Sequence, residues 1–454
     1  MNLPSTTFEL YPFQKKGVEF LASRDRALLA DDMGTGKSEQ AIFAAKKIVA
    51  RRVLIVCPLS VRHSWARRIN KYFPDLLVKE IKKTAQKYTP VIREWVVVNY
   101  DIAWRGETHA ALASAEWDVV VLDEAHYLKS LKSKRTQGVL SNTKGIIKKA
   151  QRVWLMTGTP VLNRPVELYP LLHFVFPREI ADCQGYFAFT KMFCQGKQGP
   201  FGWEANGACN IPELARRLGR HMLRRTKEEV FPDMPKATFT PIYLEPSKVI
   251  AATLKRERAL TGAVESVADR AERLSVGEAV ALRRQIGLDK IAIAVEHLGG
   301  CEDEKVVVFT YHRDVANALN QAFPKNSALY TGEQTQAQKQ QSLACFIHGN
   351  ARYFIAQIEA AGTGIDGLQD VCSHAVFVEL CYVPGKIDQA IGRLVRHGQK
   401  KSVTVECLVH EGSIDEDILK LLDKKRGVIG RIVGQAKETN ILTLEDELKQ
   451  MGVL

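Results

Sequence analysis

The sequence lacks the features that mark membrane-spanning and disulfide-stapled proteins. No apolar run approaches the roughly 18 residues that span a bilayer, and the opening MNLPSTTFEL has neither a basic nor an apolar leader segment. The nine cysteines are odd in number and include no CxxC pair, which indicates reduced, buried thiols. A zinc site formed by Cys183, Cys194 and Cys209 is disfavoured because their spacings lack paired ligands. We therefore expect a soluble, intracellular protein.

The chain does contain ample apolar sequence and an excess of positive charge. Its 454 residues, 46% of them hydrophobic, fit two or three domains of about 150 residues each. Lysine and arginine outnumber aspartate and glutamate by 64 to 51, which gives a net charge of +13. An excess of this size favours a polyanionic partner, and we place nucleic acid ahead of a membrane.

Short β-branched runs alternate with helical segments in two separate blocks. This pattern is typical of parallel sheets that are covered by helices on both faces, so the sequence predicts an α/β protein with two lobes. The predicted strands are VLIV at 53–56, WVVV at 95–98, DVVVL at 118–122 and VWLM at 153–156 in the first block, and KVVVF at 305–309, FIAQI at 354–358, AVFVEL at 375–380 and VTVECLV at 403–409 in the second.

We place the lobe boundary after residue 244. Residues 1–244 form the predicted first lobe, with a helical elaboration at about 163–230, and residues 245–454 form the second. The stretch 247–298 contains almost no glycine or proline, so we expect a helical lead-in to the second lobe. The apolar residues that share one helical face there are Ile291, Ala294, Val295 and Leu298.

The segment LLADDMGTGKSEQ has the composition of a phosphate loop between a strand and a helix. Gly34 and Gly36 would let backbone amides close around phosphate groups at a helix N-terminus. Lys37 would hold the β and γ phosphates, and Ser38 the magnesium ion. Asp31 stands where a strict phosphate loop has its first glycine, so for this segment alone a fortuitous glycine turn is the competing interpretation.

A pair of carboxylates follows the predicted strand at 118–122. Asp123 and Glu124 would lie at the carboxyl end of that strand, where open parallel sheets bind their ligands. There Asp123 can coordinate magnesium through water, while Glu124 orients or deprotonates the attacking water. The competing interpretation is an exposed acidic pair that caps the next helix.

Two arginines three positions apart occur in QAIGRLVRHGQ. If this segment is helical, Arg393 and Arg396 lie on one face. They can form an exposed basic stripe, or a pair of arginine fingers that stabilise charge on the transferring phosphoryl group.

Taken in order, these segments resemble the motifs of Swi/Snf-type ATPases of helicase superfamily two, and the resemblance runs from about Tyr11 to Lys425. LYPFQKKGVEFL is similar to the Q motif, LADDMGTGKSEQ to motif I with Asp31 included, LIVCPLSVRHSW to motif Ia, and VVVLDEAHYLKS to a DEAH-type motif II. LMTGTPVLNRPVELY, VVVFTYHRD, IEAAGTGIDGLQ and QAIGRLVRHGQ resemble motifs III to VI. LADDMG, the motif III stretch and GWEANGACN are most similar to the annealing-helicase subgroup. Motif V departs from the family by ending in Asp366 and Gly367.

The resemblance implies two RecA-like lobes, ATP as fuel and Mg²⁺ as cofactor. The implied catalytic residues are Lys37, Asp123, Glu124, Arg393 and Arg396, with Ser38 and Asp123 on the metal. The implied nucleotide-binding residues are Gln14, Gly34, Thr35, Gly36, Lys37, Ser38, Gly364 and Asp366. The implied residues that couple nucleotide state to DNA are Thr157 and Thr159.

A run without acidic residues extends from Ala125 to Val166. We interpret it as a surface that follows DNA phosphates, so binding should be independent of sequence and strongly dependent on salt. The candidate DNA-binding residues are Lys129, Lys132, Lys134, Arg135 and Thr363.

The predicted function is ATP-dependent translocation on double-stranded or forked DNA, with remodelling of bound proteins or branched structures. We expect a monomer when DNA is absent, no membrane partner, and a cytoplasmic location at a nucleoid or in a host cell. The alternatives are a helicase that separates DNA or RNA strands and an ATP-gated DNA clamp with little turnover.

Overall fold

The computed structural model describes residues 9–84, 88–161, 163–199, 202–245, 251–252, 276–362 and 365–432. The chain divides into two compact units, one formed mainly by residues up to Pro232 and the other mainly by residues from Asp233 to Gly427. Each unit has its own parallel sheet, which confirms the predicted α/β fold with two lobes. Among the described helices, none combines the length and the apolar character needed to cross a bilayer.

The first unit contains a seven-stranded sheet in the order β3-β4-β2-β5-β6-β1-β9, and every pair of neighbours is parallel. A separate antiparallel hairpin, β7 and β8, lies in the predicted elaboration. The strands are β1 Arg26–Leu29, β2 Arg52–Cys57, β3 Val78–Ile81, β4 Glu94–Asn99, β5 Trp117–Asp123, β6 Ala150–Met156, β7 Lys197–Gly199, β8 Gly202–Glu204 and β9 Met222–Leu223.

Helices cover both faces of this sheet. The α-helices are Pro12–Ala22, Lys37–Lys47, Arg62–Tyr72, Tyr100–Ala103, Gly106–Ser114, Lys134–Leu140, Tyr169–Val175, Tyr186–Phe193, Ile211–Gly219 and Lys227–Val230. The 3₁₀ helices are Leu59–Val61, Ala125–Leu128, Ile146–Lys149, Pro165–Leu168 and Pro177–Ile180.

The sheet separates two apolar cores, and this explains its uninterrupted β-branched runs. In β5, Val120 and Leu122 belong to one core, whereas Val119 and Val121 belong to the other. Successive side chains of a strand point to opposite faces, so a sheet buried on both faces needs apolar residues at every position. The strand therefore stays apolar until it delivers Asp123 at its carboxyl end.

The second unit contains a six-stranded parallel sheet in the order β10-β15-β14-β11-β13-β12. Its strands are β10 Ala237–Leu244, β11 Val306–Thr310, β12 Ser327–Tyr330, β13 Tyr353–Gln357, β14 His374–Phe377 and β15 Val403–His410. Its helices are Val276–Asp289, Ile291–Gly300, Arg313–Ala322, Gln336–His348, Ile358–Ala361, Pro384–Ile391 and Ile414–Ile432, with a 3₁₀ turn at Leu368–Asp370.

The lobe boundary differs from the predicted position. The predicted boundary assigns β10 to the first lobe, but β10 pairs along its whole length with β15 and so belongs to the second sheet. The described part of the lead-in is helical as expected, and Ala294 and Leu298 are fully buried there. The rest of that lead-in, residues 247–250 and 253–275, lies outside the described residues.

Candidate nucleotide site

The phosphate loop connects β1 to the helix Lys37–Lys47 at the carboxyl end of the first sheet. Gly36 precedes the helix in the left-handed region, with φ of 75° and ψ of 41°, and Gly34 has a φ of 84°. The positive φ of Gly36 favours glycine at this position, and a Cβ atom there would lie 2.3 Å from Nε2 of Gln14. The sequence thus forms the small-residue turn that a phosphate group needs at a helix N-terminus.

Lys37 is held by backbone oxygens and surrounded by acidic groups. Its Nζ donates to the carbonyl oxygens of Asp31 at 2.7 Å and Asp32 at 3.0 Å. Burial lowers the pKa of Lys37, and the negative charge of Glu124 and other nearby carboxylates opposes that shift. An ammonium group fixed in this way can exchange its carbonyl partners for phosphate oxygens without moving far.

Asp123 is a buried carboxylate at the end of β5. Its Oδ2 accepts a hydrogen bond from Nε1 of Trp65 at 2.7 Å, and its Oδ1 accepts one from the backbone N–H of Glu124 at 3.0 Å. Burial and the charge of Glu124 nevertheless raise the pKa of Asp123 to about 6. Two carboxylates at one strand end fit a divalent cation, because the cation would compensate both charges.

Glu124 adopts a backbone conformation that is uncommon for a residue with a side chain. Its φ of 51° and ψ of 55° lie in the left-handed region. Strain of this kind concentrates at functional sites, where the surrounding structure enforces it. The Glu124 backbone therefore marks this strand end independently of its charge.

A triangle of side chains holds the Glu124 carboxylate. Thr157 Oγ1 donates to Glu124 Oε2 at 3.2 Å, and His126 Nδ1 lies 3.0 Å from Thr157 Oγ1 and 3.2 Å from Glu124 Oε2. The backbone N–H of Thr159 donates to Thr157 Oγ1 at 3.1 Å. Of the predicted coupling residues, Thr157 thus contacts the carboxylate predicted to act on water directly, and Thr159 connects to it through Thr157.

Gln14 is buried beside the phosphate loop. Its Nε2 donates to the carbonyl oxygen of Thr35 at 3.1 Å, and its Oε1 accepts from the backbone N–H of Tyr11 at 3.1 Å. Thr35 is itself buried, and its hydroxyl donates to the Asp32 carbonyl at 2.8 Å. Gln14, an implied nucleotide-binding residue, is therefore attached to the loop predicted to hold the phosphates.

Asp31, the residue that departs from a strict phosphate loop, has a partner 194 positions along the chain. Its fully buried carboxylate accepts from the guanidinium of Arg225, with a distance of 3.0 Å between Nε and Oδ1. Arg225 also donates to the Phe13 carbonyl and, at 2.9 Å, to Oε1 of Gln40. The Asp31–Arg225 pair thus connects the helix Pro12–Ala22, the phosphate loop and the segment after β9.

Arg224 completes this connection. Its guanidinium donates to the carbonyl oxygens of Ala30 at 2.8 Å and Gly158 at 3.2 Å, and to Asp32 Oδ1 at 3.1 Å. The sequence analysis does not assign Arg224 and Arg225 to the nucleotide site. Their contacts with Asp31 and Asp32 were not accessible from local spacing.

In the second unit, Arg393 and Arg396 do not lie on a helix, and that expectation is wrong. The helix Pro384–Ile391 ends at Gly392, and the backbone continues in tight turns, with Arg393 N–H bonded to the Ala390 carbonyl at 3.1 Å. The two guanidinium groups still converge, because both donate to the carbonyl oxygen of Ile365, at 3.3 Å and 3.4 Å.

Both arginines hold the predicted motif V segment. Arg393 also donates to the Gly362 carbonyl, and Arg396 forms an ion pair with the exposed carboxylate of Asp366. Of the other predicted residues in this segment, Thr363 and Gly364 lie outside the described residues.

The predicted DNA-binding lysines differ in their surroundings. Lys129 pairs with Glu167 at 3.2 Å, and Arg135 pairs with Asp101 at 2.6 Å, so acidic residues outside the basic run partly neutralise it. Lys132 and Lys134 have exposed side chains.

Comparison with known proteins identifies the family. Residues 13–285 match the SNF2-related domain, and residues 289–398 match the helicase conserved C-terminal domain. The solved SWI2/SNF2 ATPase core of Sulfolobus solfataricus in complex with dsDNA is 23% identical, with 97% of each chain covered and a TM-score of 0.46.

Two relatives are similar in sequence to almost the whole chain. The DNA annealing helicase and endonuclease ZRANB3 of Mus musculus is 31% identical over 98% of this chain, which covers 43% of that protein. A Caenorhabditis elegans homolog of the SWI/SNF-related matrix-associated actin-dependent regulator of chromatin subfamily A-like protein 1 is 30% identical over 94% of this chain, which covers 62% of it. The chain thus spans only part of the length of these relatives. It belongs to the SNF2-related (Swi/Snf) family, and its relatives match the annealing-helicase-like subgroup that the sequence resembles.

Proposed function

We propose that this chain is an ATP-dependent translocase of double-stranded DNA that remodels protein–DNA complexes or branched DNA. The observation that carries the proposal is the arrangement of Lys37, Asp123, Glu124 and Thr157 at one edge of the first sheet. These are the groups that phosphoryl transfer from ATP to water requires. Membership of the SNF2-related family and the names of the annealing-helicase relatives support DNA as the polymer and branched DNA as a substrate.

Binding of ATP is the task of the phosphate loop. Gly34, Thr35 and Gly36 form the turn, Lys37 supplies positive charge to the β and γ phosphates, and Gln14 recognises the adenine. Ser38 and Asp123 would hold Mg²⁺, which when bound neutralises charge on the phosphates. The burial of Asp123 beside Glu124 supports this assignment, because a divalent cation there would offset the repulsion between the two carboxylates.

Hydrolysis requires a positioned water and compensation of the developing negative charge. Glu124 orients or deprotonates the water, and its bonds to Thr157 and His126 fix the carboxylate for that task. Arg393 and Arg396 supply positive charge to the transferring phosphoryl group. Their shared contact at Ile365 and the adjacent Asp366 support a joint role for these arginines and motif V.

DNA is gripped through its phosphate groups. Lys129, Lys132, Lys134, Arg135 and Thr363 are the proposed contacts. Because phosphate contacts carry no sequence information, we propose binding to duplex or forked DNA of any sequence. We propose a monomer that acts in the cytoplasm, where such DNA is accessible.

The testing experiment measures steady-state phosphate release with double-stranded, single-stranded and forked DNA, with RNA, and without nucleic acid. We expect stimulation by duplex or forked DNA and none by RNA. The matched control is Lys37→Ala, which should abolish release under every condition because it removes the phosphate-binding ammonium group.

Displacement of a triplex-forming strand then tests movement along the duplex. ATP-dependent displacement supports translocation. Turnover without displacement indicates an ATPase that does not move, and binding without turnover indicates an ATP-gated clamp. Strand separation on forked duplexes would indicate a helicase instead.

A further inference from the structure

A second group of titratable side chains lies in the second unit, near the amino ends of its strands. His297 lies on the last turn of the helix Ile291–Gly300, and Cys301 directly follows that helix. Glu406 lies on β15 beside Val376 of β14. Ligands of open parallel sheets bind at the carboxyl ends, so this group is separate from the motif V segment and its arginines.

The three side chains offer donors of three kinds at short range. One ligand atom from each of His297, Cys301 and Glu406 lies within 4.8 Å of the other two. The closest pair is His297 Nε2 and Glu406 Oε2, at 2.7 Å. His297 and Glu406 are 26% and 19% exposed, so an ion can reach them from solvent. Among the described residues, no other group of three histidine, cysteine or acidic side chains meets this distance condition.

We propose that His297, Cys301 and Glu406 bind a zinc ion. The spacing of four positions brings His297 and Cys301 to one side of the helix end, because residues four apart are neighbours on a helix. Imidazole nitrogen, thiolate sulfur and carboxylate oxygen are the three donor types that Zn²⁺ accepts. Calcium and magnesium prefer oxygen donors alone, so a set with one nitrogen and one sulfur selects against them.

A second layer of hydrogen bonds orients the carboxylate ligand. His374 Nε2 lies 2.9 Å from Glu406 Oε2, and His374 Nδ1 lies 2.8 Å from Asp303 Oδ2. Metal ligands are commonly held by such outer partners, which fix their orientation and strengthen binding. His374 is 7% exposed, so this outer partner is more buried than the carboxylate that it orients.

The position of the site gives it a stabilising role. The ion would join the end of the helix Ile291–Gly300 to β15, and the loop that starts at Cys301 leads directly into β11. Zinc would thus anchor the connection between the helical lead-in and the second sheet. The proposal does not depend on the proposed function, because it concerns residues outside the nucleotide-binding motifs.

The test uses zinc itself and cobalt as a spectroscopic substitute. The chelator-treated full chain is titrated with Zn²⁺, bound metal is measured by mass spectrometry after dialysis, and the melting temperature is followed. We expect one equivalent of zinc and a rise in melting temperature. With Co²⁺, we expect the near-ultraviolet band of a thiolate–cobalt bond, which Cys301→Ser should remove.

Matched variants separate this site from adventitious binding. Cys301→Ser, His297→Ala and Glu406→Gln should each weaken zinc binding at least tenfold, and Asp303→Asn about tenfold through the outer layer. Cys345→Ser and His348→Ala, on exposed positions of the helix Gln336–His348, should leave it unchanged.

Two results would overturn the proposal. Wild-type protein that takes up no zinc and shows no thiolate–cobalt band would identify the group as an ion-paired network of histidines and carboxylates. Equal zinc uptake by wild type, Cys301→Ser and Glu406→Gln would place the ion elsewhere. The cobalt spectrum is recorded on wild-type protein, so an absent thiolate–cobalt band overturns the proposal even where a variant does not fold.

Discussion

The charged groups assigned to ATP chemistry are held differently in the two units. In the first unit, Lys37 donates to the backbone carbonyl oxygen of Asp31, and Thr157 donates to the Glu124 carboxylate. A buried ion pair between Asp31 and Arg225 fixes the loop beside them. In the second unit, Arg396 contacts backbone carbonyl oxygen and an exposed carboxylate.

The difference shows which groups are preorganised. Buried partners fix a side chain because leaving a buried polar group unpaired costs free energy. An exposed carboxylate holds an arginine weakly, since water can replace that partner. We therefore expect the first unit to present a fixed binding surface and Arg396 to be an exchangeable charge.

The largest effect is expected when one of the two arginines is removed. We expect Arg396→Ala to lower DNA-stimulated turnover roughly a thousandfold or more while ATP binding persists, as for other arginine fingers. Lys386→Ala is the matched control, because it removes a positive charge from an exposed ion pair of the same unit. Turnover close to wild type in Arg396→Ala would make Arg396 only a solvent-exposed partner of Asp366.

Removing Arg225 tests whether the buried ion pair fixes the phosphate loop of the first unit. Arg225→Ala leaves the fully buried Asp31 carboxylate without its ion partner, so we expect a loss of about 3–5 kcal/mol in the free energy of unfolding. Arg216→Ala removes an exposed pair with Glu213, which water screens, and should cost much less. Urea unfolding of both variants provides the measurement. Equal losses would contradict the buried anchor.

The raised pKa of Asp123 makes the stability of the first unit depend on pH. Its folded pKa of about 6 exceeds the ordinary 3.8, so the folded state binds a proton first and gains stability as the pH falls towards 5. Without nucleotide or magnesium, the stability difference between Asp123→Asn and wild type should change by about 1.4 kcal/mol between pH 5 and 8. The fixed cost of removing the acceptor does not vary with pH and therefore cancels. A constant difference would show that Asp123 titrates normally.

The smallest expected effect concerns the exposed lysines. Lys132→Ala with Lys134→Ala should lower the slope of log affinity against log salt by about 0.9 for each DNA phosphate that the protein no longer neutralises, for every DNA sequence alike. The control keeps the charge, as Lys132→Arg with Lys134→Arg. Should the slope stay constant in the alanine variant, these lysines lie outside the DNA path.

The eight strands predicted from apolar runs are all present, because a sheet buried on both faces leaves an uninterrupted apolar signal. The strands that the sequence missed lack such a signal. β10 contains exposed threonines and Pro241, and β3 is only partly buried. These strands lie at sheet edges, where one face or one side needs no apolar partner.

Sequence motifs predict the site residues that lie close together in the chain, but they do not predict partners that lie far apart in it. The loop and the Asp123–Glu124 pair are predicted from short motifs, because the residues of each lie side by side in the sequence. Trp65, which binds Asp123, and Arg225, which binds Asp31, are 58 and 194 positions from their partners. No spacing rule connects such residues. Arg393 and Arg396 lie beyond the helix because it ends at Gly392.

The pairing of β10 with β15 bears on the order in which the chain folds. During synthesis the first sheet has all its strands once Met222 and Leu223 have emerged, whereas β10 must wait for Val403–His410 before it finds its partner. Closing so long a loop is slow, and an unpaired strand is prone to aggregate meanwhile. We expect ribosome-bound chains stopped before residue 403 to contain a protease-resistant first unit and an unfinished second one.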